Sequence, residues 1–214
     1  MRTWIKICGT TSLEDALSSI EAGADALGFI FAPSKRHLSM EQAQRITSRL
    51  PREVERIGVF MDASPAEIAA AAGKADLTGI QLHGGGSFAE IHDYLPTAQR
   101  ESIRKIRTVL VQPGFELHLR NEGGGPEMVD AWLLDSGAGS GKMFDWQAAR
   151  KHLDGRQERF IIAGGLTPEN VGEAIRTFRP WGVDVVTGVE REPGRKDPEK
   201  LQAFVAAVRK AEQI

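Results

Sequence analysis

"WIKICGTTSLEDALSSIEAGADALGFIF", residues 4–31, reads as a strand, a helix and a second strand. The run at 4–8 is short, apolar and rich in β-branched residues, and 26–31 repeats that character. Between them Leu13, Ala16, Leu17 and Ile20 recur at i, i+3, i+4 and i+7, one face of a helix. Ser12 stands where a side-chain oxygen can accept an orphan N–H of the first turn, and Gly23 is placed to stop the helix.

The same unit recurs along the chain. Further apolar runs lie at 57–60, 79–83, 104–109, 132–135, 160–164 and 183–186, their starts spaced 22 to 31 residues apart. Their continuous apolarity is that of strands buried on both faces of a parallel sheet. Ser39, Ser64 and Ser87 each precede Glu or Gln by three residues, the capping-box pattern. "TPEN" (167–170) and "DPEK" (197–200) place a cap before a proline, and Asp145 caps a helix through Trp146, Ala149 and Leu153. The fifth unit, with "QPGFELHLRNEGGGPEM" at 112–128, has the weakest periodicity. Eight strands with about eight helices favour a (β/α)8 TIM barrel over an open doubly wound sheet. No linker or charge block divides the chain, so residues 1–214 read as one barrel domain.

Composition narrows the function. With 27 basic and 29 acidic residues the net charge is −2, which gives no bulk attraction to nucleic acid or membrane. The one cysteine excludes an internal disulfide and any cysteine-cluster metal site, and the five histidines lack metal-ligand spacing. "MRTWIKICGTTSLED" holds too short an apolar stretch for a signal peptide, and the expected location is cytoplasmic.

In a βα barrel the active site lies at the C-terminal strand ends. The polar residues expected there are Cys8, Arg36, His83 and Asp135, with Asp184 inside the last strand. A buried free cysteine is commonly an inert packing residue, but its strand-end position makes Cys8 a candidate. Asp135 closes the apolar run "WLLD", where an acid is costly to bury unless it has a partner or a task. "DSGAGSGKMFDW" (135–146) fails the P-loop pattern, with Ser136 at the first glycine position and Met143 at the last. The glycine turns at Gly164–Gly165 and Gly188 follow the seventh and eighth strands, the recurrent phosphate position of this fold.

Taken together, "KICGTTSLEDALSSIEAGADALGFIFAPSKRHLS", "IGVF", "IQLHG", "LLDSGAGSGKMFDW", "AGGLTPENV" and "GVDVVTGVE…GRKDPEKL" resemble the phosphoribosylanthranilate isomerase family. The resemblance implies a tryptophan-biosynthesis isomerase that performs an Amadori rearrangement without cofactor or metal. It implies Asp135 as general acid and Cys8 as general base, with Arg36 on the anthranilate carboxylate. His83 and Asp184 would line the sugar and ring pocket, and Gly141, Gly164, Gly165 and Gly188 the phosphate site. The partner is a small phosphosugar substrate, and the assembly a monomer or homodimer. Rival readings are another phosphosugar isomerase or epimerase, and a barrel that binds a phosphorylated metabolite without turnover. "VVTGVE" stands where the family more often has "VSSGVE", and "HGGGS" lacks the usual acidic residue. An acid at Asp135 needs a raised pKa, and a base at Cys8 needs one held level or lowered. No cation adjacent in sequence is read as serving Cys8.

Overall fold

The computed structural model describes residues 2–112, 129–137 and 145–213. Eight parallel strands close into a barrel in chain order: β1 (Trp4–Cys8), β2 (Ala26–Ile30), β3 (Glu55–Phe60), β4 (Gly79–His83), β5 (Arg104–Leu110), β6 (Ala131–Asp135), β7 (Phe160–Ile162) and β8 (Gly182–Val185). Closure is made by β1 against β8, with Trp4 opposite Gly182 and Lys6 opposite Asp184. The open-sheet alternative is thereby excluded. Helices α1 (Leu13–Ala22), α2 (Met40–Thr47), α3 (Pro65–Lys74), α4 (Phe88–Tyr94), α5 (Thr97–Arg100), α6 (Trp146–Leu153), α7 (Val171–Phe178) and α8 (Pro198–Ala211) complete the main elements. After β8 come a 3₁₀ turn, Thr187–Val189, and an antiparallel hairpin of β9 (Glu190–Glu192) and β10 (Arg195–Lys196). None of the helices among the described residues is long and apolar enough to cross a membrane.

The helix starts follow their caps. Ser12, Ser39, Ser64, Ser87 and Asp145 each accept a first-turn N–H, and Asp197 accepts two. Each such cap contributes about 1 kcal/mol. Gly23 ends α1 in the left-handed region. "TPEN" departs from expectation: α7 begins at Val171, and Pro168–Asn170 form a turn before it. The cause is Asn170, whose Oδ1 accepts the Thr167 N–H at 2.8 Å while its Nδ2 donates to the Gly165 carbonyl at 2.9 Å. That side chain closes the turn and delays the helix. The run at 160–164 also stops early, at Ile162, because Gly164 and Gly165 take φ of 80° and 69°. Most of "QPGFELHLRNEGGGPEM" lies outside the described residues.

Alternate strand residues face opposite ways and build two cores. Ile5, Ile7, Leu27, Phe29, Leu134, Ile162, Val183 and Val185 pack outward with the helices. Trp4, Ala26, Ile57, Ile106, Ala131, Leu133, Ile161 and Ala163 form a separate cluster within the barrel. The N-terminal end of the barrel is plugged, with Trp4 stacked on Trp181 at 4.9 Å and Arg104 5.1 Å over Trp181. The opposite end is left to polar side chains.

Candidate active site

At the C-terminal strand ends a cavity of about 320 Å³ is lined by Cys8, Arg36, His83, Asp135, Gly164, Gly165 and Asp184, among others. Seven of the nine residues singled out in the sequence thus share one space. Gly188 lies just behind its wall, beside the lining residue Thr187. Gly141 lies outside the described residues.

Cys8 ends β1 with its side chain in the cavity, and burial pushes its thiol above the ordinary value. Two ammonium groups oppose that push without cancelling it, so the level or lowered value expected of a base is not met. Lys6, wholly buried two residues earlier on the same strand face, donates from Nζ to Asp184 Oδ1 at 2.9 Å, and its charge pulls the thiol pKa down. Burial alone would lower the Lys6 pKa; the charges of Asp184 and Cys8 outweigh it and raise it. Lys196, on β10, donates to the Cys8 carbonyl at 2.6 Å and adds its charge nearby. The expectation that no neighbouring cation serves Cys8 is therefore corrected. The period of two along a strand carries Lys6 to the thiol, and barrel closure brings Lys196.

Asp135 ends β6, three strands round the barrel from β1, so the thiol and the carboxyl reach the cavity from different sides. Burial raises the Asp135 pKa, the Asp184 charge adds to the rise, and a Gly137 N–H to Oδ1 at 3.2 Å offsets part of it. This is the direction a carboxylic acid needs in order to keep its proton.

His83 and Gln81 share one face of β4, and both line the cavity. Among the described residues His83 Nε2 and Gln81 Oε1 are buried with no hydrogen-bond partner, although Gln81 Nε2 is fixed on Thr108 Oγ1 at 3.1 Å. Buried polar atoms facing a cavity in this state are positioned for a ligand. Gln81 was not singled out in the sequence; its signal was its place two residues before His83. The loop beyond, Gly84–Gly86, is held by Arg107, which donates to the carbonyls of Gly84 and Gly86 at 3.0 and 2.7 Å.

The two glycine turns meet. A Cβ on Gly188 would come within 2.0 Å of the Leu166 carbonyl oxygen, so only glycine lets the loop after β8 lie on the loop after β7. Among the described residues the Gly165 N–H has no backbone acceptor, and Gly188 stands in the 3₁₀ turn laid against that loop. Converging backbone amides make a cradle for an anion.

A thiol and a carboxyl in one cavity, beside two glycine turns, at the strand ends of a closed (β/α)8 barrel have the form of a barrel enzyme's active site. The family described as N-(5′-phosphoribosyl)anthranilate isomerase matches residues 5–207. The N-(5′-phosphoribosyl)anthranilate isomerase of Thermotoga maritima is 42% identical over 202 residues, covering 94% of this chain and 96% of that protein. A solved phosphoribosyl anthranilate isomerase in complex with reduced 1-(o-carboxyphenylamino)-1-deoxyribulose 5-phosphate is 37% identical. It superposes with a TM-score of 0.78 and covers 97% of this chain and 99% of its own. A structure of monomers generated from the dimeric Thermotoga maritima isomerase gives 36% identity and a TM-score of 0.76, covering 97% and 98%. The chain belongs to the phosphoribosylanthranilate isomerase family, and it is an isomerase.

Proposed function

We propose that this site converts N-(5-phosphoribosyl)anthranilate to 1-(2-carboxyphenylamino)-1-deoxyribulose 5-phosphate, with Asp135 as general acid and Cys8 as general base. The observation that carries the assignment is the shared cavity, in which the carboxyl is pushed toward its protonated form and the thiol stands beside two ammonium groups.

Asp135 gives its proton to the ring oxygen of the ribose. The C1′–O bond then breaks, and the lone pair of the anthranilate nitrogen forms a C=N bond, leaving an open-chain iminium. The Cys8 thiolate takes the C2′ proton, and the C–H electron pair becomes a C1′=C2′ bond while the iminium nitrogen is neutralised. The resulting enol loses its O–H proton and gains one at C1′, which gives the ketone with no net change in protons. Positioned acid–base groups of this kind contribute about 10² to 10⁴ in rate.

The remaining residues hold the substrate. Arg36 meets the ring carboxylate, His83 and Asp184 line the sugar and ring, and Gly164, Gly165 and Gly188 offer the phosphate a turn of backbone amides. Gly141 is assigned to the same phosphate by the sequence motif. One barrel domain over residues 1–214 carries the whole site, and the protein acts in the cytoplasm as a monomer or homodimer.

Purified protein given N-(5-phosphoribosyl)anthranilate should abolish the substrate's fluorescence at a catalytic rate, with the amount turned over far exceeding the enzyme. Stoichiometric binding without turnover would instead favour a regulatory barrel.

A further inference from the structure

The hairpin after β8 is not needed to close a βα barrel, yet it buries an ion pair. Glu190 and Lys196 are 4% and 1% exposed, with Nζ 3.2 Å from Oε1. The Glu190 carboxylate also takes a two-pronged contact from Arg36, Nε to Oε1 at 2.8 Å and Nη2 to Oε2 at 2.5 Å. The Gly194 N–H adds a further bond to Oε1 at 3.2 Å. Burial would raise the Glu190 pKa, but the Arg36 hydrogen bonds and the Lys196 charge outweigh it and hold the carboxyl below its ordinary value.

This arrangement restricts Arg36. Its guanidinium is gripped along the Nε–Nη2 edge, and among the described residues Nη1 makes no hydrogen bond. Its stem crosses the backbone directly after the catalytic thiol, where a Cβ on Gly9 would sit 2.5 Å from Arg36 Cδ. The same hairpin anchors that backbone, since Lys196 donates to the Cys8 carbonyl at 2.6 Å. Two cations and one anion form the Arg36–Glu190–Lys196 cluster; the charge of Lys196 is shared with the Cys8 thiol, and Arg36 is the member that lines the cavity. An anionic ring substituent would meet the Arg36 edge that Glu190 leaves open.

The geometry points to the β9–β10 hairpin as the positioning element for substrate recognition. Glu190 fixes Arg36 with Nη1 free for the ring carboxylate, and Lys196 ties that anchor to the strand end bearing Cys8. Glu190 touches no substrate atom itself; it sets selectivity for a carboxylated ring by holding the residue that does. A lysine in place of Arg36 could not satisfy Glu190 along one edge and the substrate along another, because only the planar fork has two such edges.

The inference rests on the reading of Arg36 as the carboxylate anchor, and the test separates the two. kcat and KM are measured for N-(5-phosphoribosyl)anthranilate and for its decarboxylated analogue, N-(5-phosphoribosyl)aniline, with the natural chain and the Glu190→Gln, Glu190→Asp and Arg36→Met variants. Glu190→Gln keeps the shape and removes the charge. It should lose on the order of 10- to 100-fold in kcat/KM for the carboxylated substrate, chiefly through KM, and less than about threefold for the analogue. Glu190→Asp keeps the charge and shortens the reach, so it should show a smaller loss of the same selective kind. If Glu190→Gln does not fold, as judged by circular dichroism, Glu190→Asp decides the matter.

Equal losses on both substrates, or none on either, in the deciding Glu190 variant would overturn the positioning role. If Arg36→Met is selective against the carboxylated substrate while the Glu190 variant is not, only the hairpin inference fails. If Arg36→Met shows no selectivity, the carboxylate reading of Arg36 fails, and the inference with it.

Discussion

Lys6 and Asp184 face each other across the seam that closes the barrel, in register on β1 and β8, with Nζ 2.9 Å from Oδ1 and neither group open to solvent. The pair links barrel closure to chemistry, because the charge of the same ammonium acts on the Cys8 thiol. Removing one partner of such a pair strands a buried charge, at a cost of about 3–5 kcal/mol.

Lys6→Met should therefore lower stability by about that amount and move the thiol further up. The pH dependence of iodoacetamide labelling of Cys8, the only thiol in the chain, reads the second effect directly. Its midpoint should lie at higher pH in the variant; an unchanged midpoint would remove Lys6 from the activation of Cys8.

Cys8→Ser and Asp135→Asn should each reduce kcat by about 10² to 10⁴ while leaving affinity for a product analogue within a fewfold of the natural chain. Turnover near the natural rate in either variant would remove that residue from its assigned role.

Activity should follow a bell-shaped pH profile. The competent form has Asp135 protonated and Cys8 ionised, and both groups lie above their ordinary values. The lower limb should then sit above the usual aspartate range near 3.9, and the upper limb above the usual thiol value near 8.5. A profile with its lower limb at or below the ordinary aspartate value would contradict the environment of Asp135.

The same shift has a consequence for stability. Asp135 has a folded pKa above its unfolded one, so at pH above the folded value it ionises in both states and its burial opposes folding. Below the unfolded value it is neutral in both, and the penalty disappears. Asp135→Asn should raise the melting temperature at about pH 8, and the gain should shrink as pH falls through the interval between the two values. A lower melting temperature for the variant at alkaline pH would contradict the proposed cost.

Gly188→Ala forces a methyl group against the Leu166 carbonyl and must part the two glycine turns. Inhibition by inorganic phosphate should weaken by about tenfold or more, with KM for the phosphorylated substrate rising in step, as expected if charge-assisted hydrogen bonds worth about 1.5 to 3 kcal/mol are lost. Unchanged phosphate inhibition would place the anion elsewhere.

The fold was legible because its signals are local. Ser12, Ser39, Ser64 and Asp197 cap their helices where the pattern put them, and each apolar run became a strand with its end within a few residues. The strand-end positions of Cys8, His83 and Asp135 followed from the architecture. What escaped is non-local. Lys6 sits in an apolar run whose counter-charge is 178 residues away, and Glu190 and Arg36 meet across 154. A signal for the first pair was nonetheless present: "WIKIC" and "VDV" each carry one charge within an apolar strand, and closing the first strand on the last pairs them. Asn170 misled the helix boundary because the competing hydrogen bond comes from its own side chain.

The contact between Lys196 and the carbonyl of Cys8 spans 188 residues, nearly the whole chain. During synthesis the thiol emerges among the first residues and the lysine near the end. The seam needs β8, and the second ammonium needs the hairpin that follows it. A chain cut between β7 and β8 carries every polar group of the first seven strands and still lacks the completed site. Competence therefore waits on the eighth βα unit, which brings both the counter-charge of Lys6 and the second ammonium to the strand that bears the thiol.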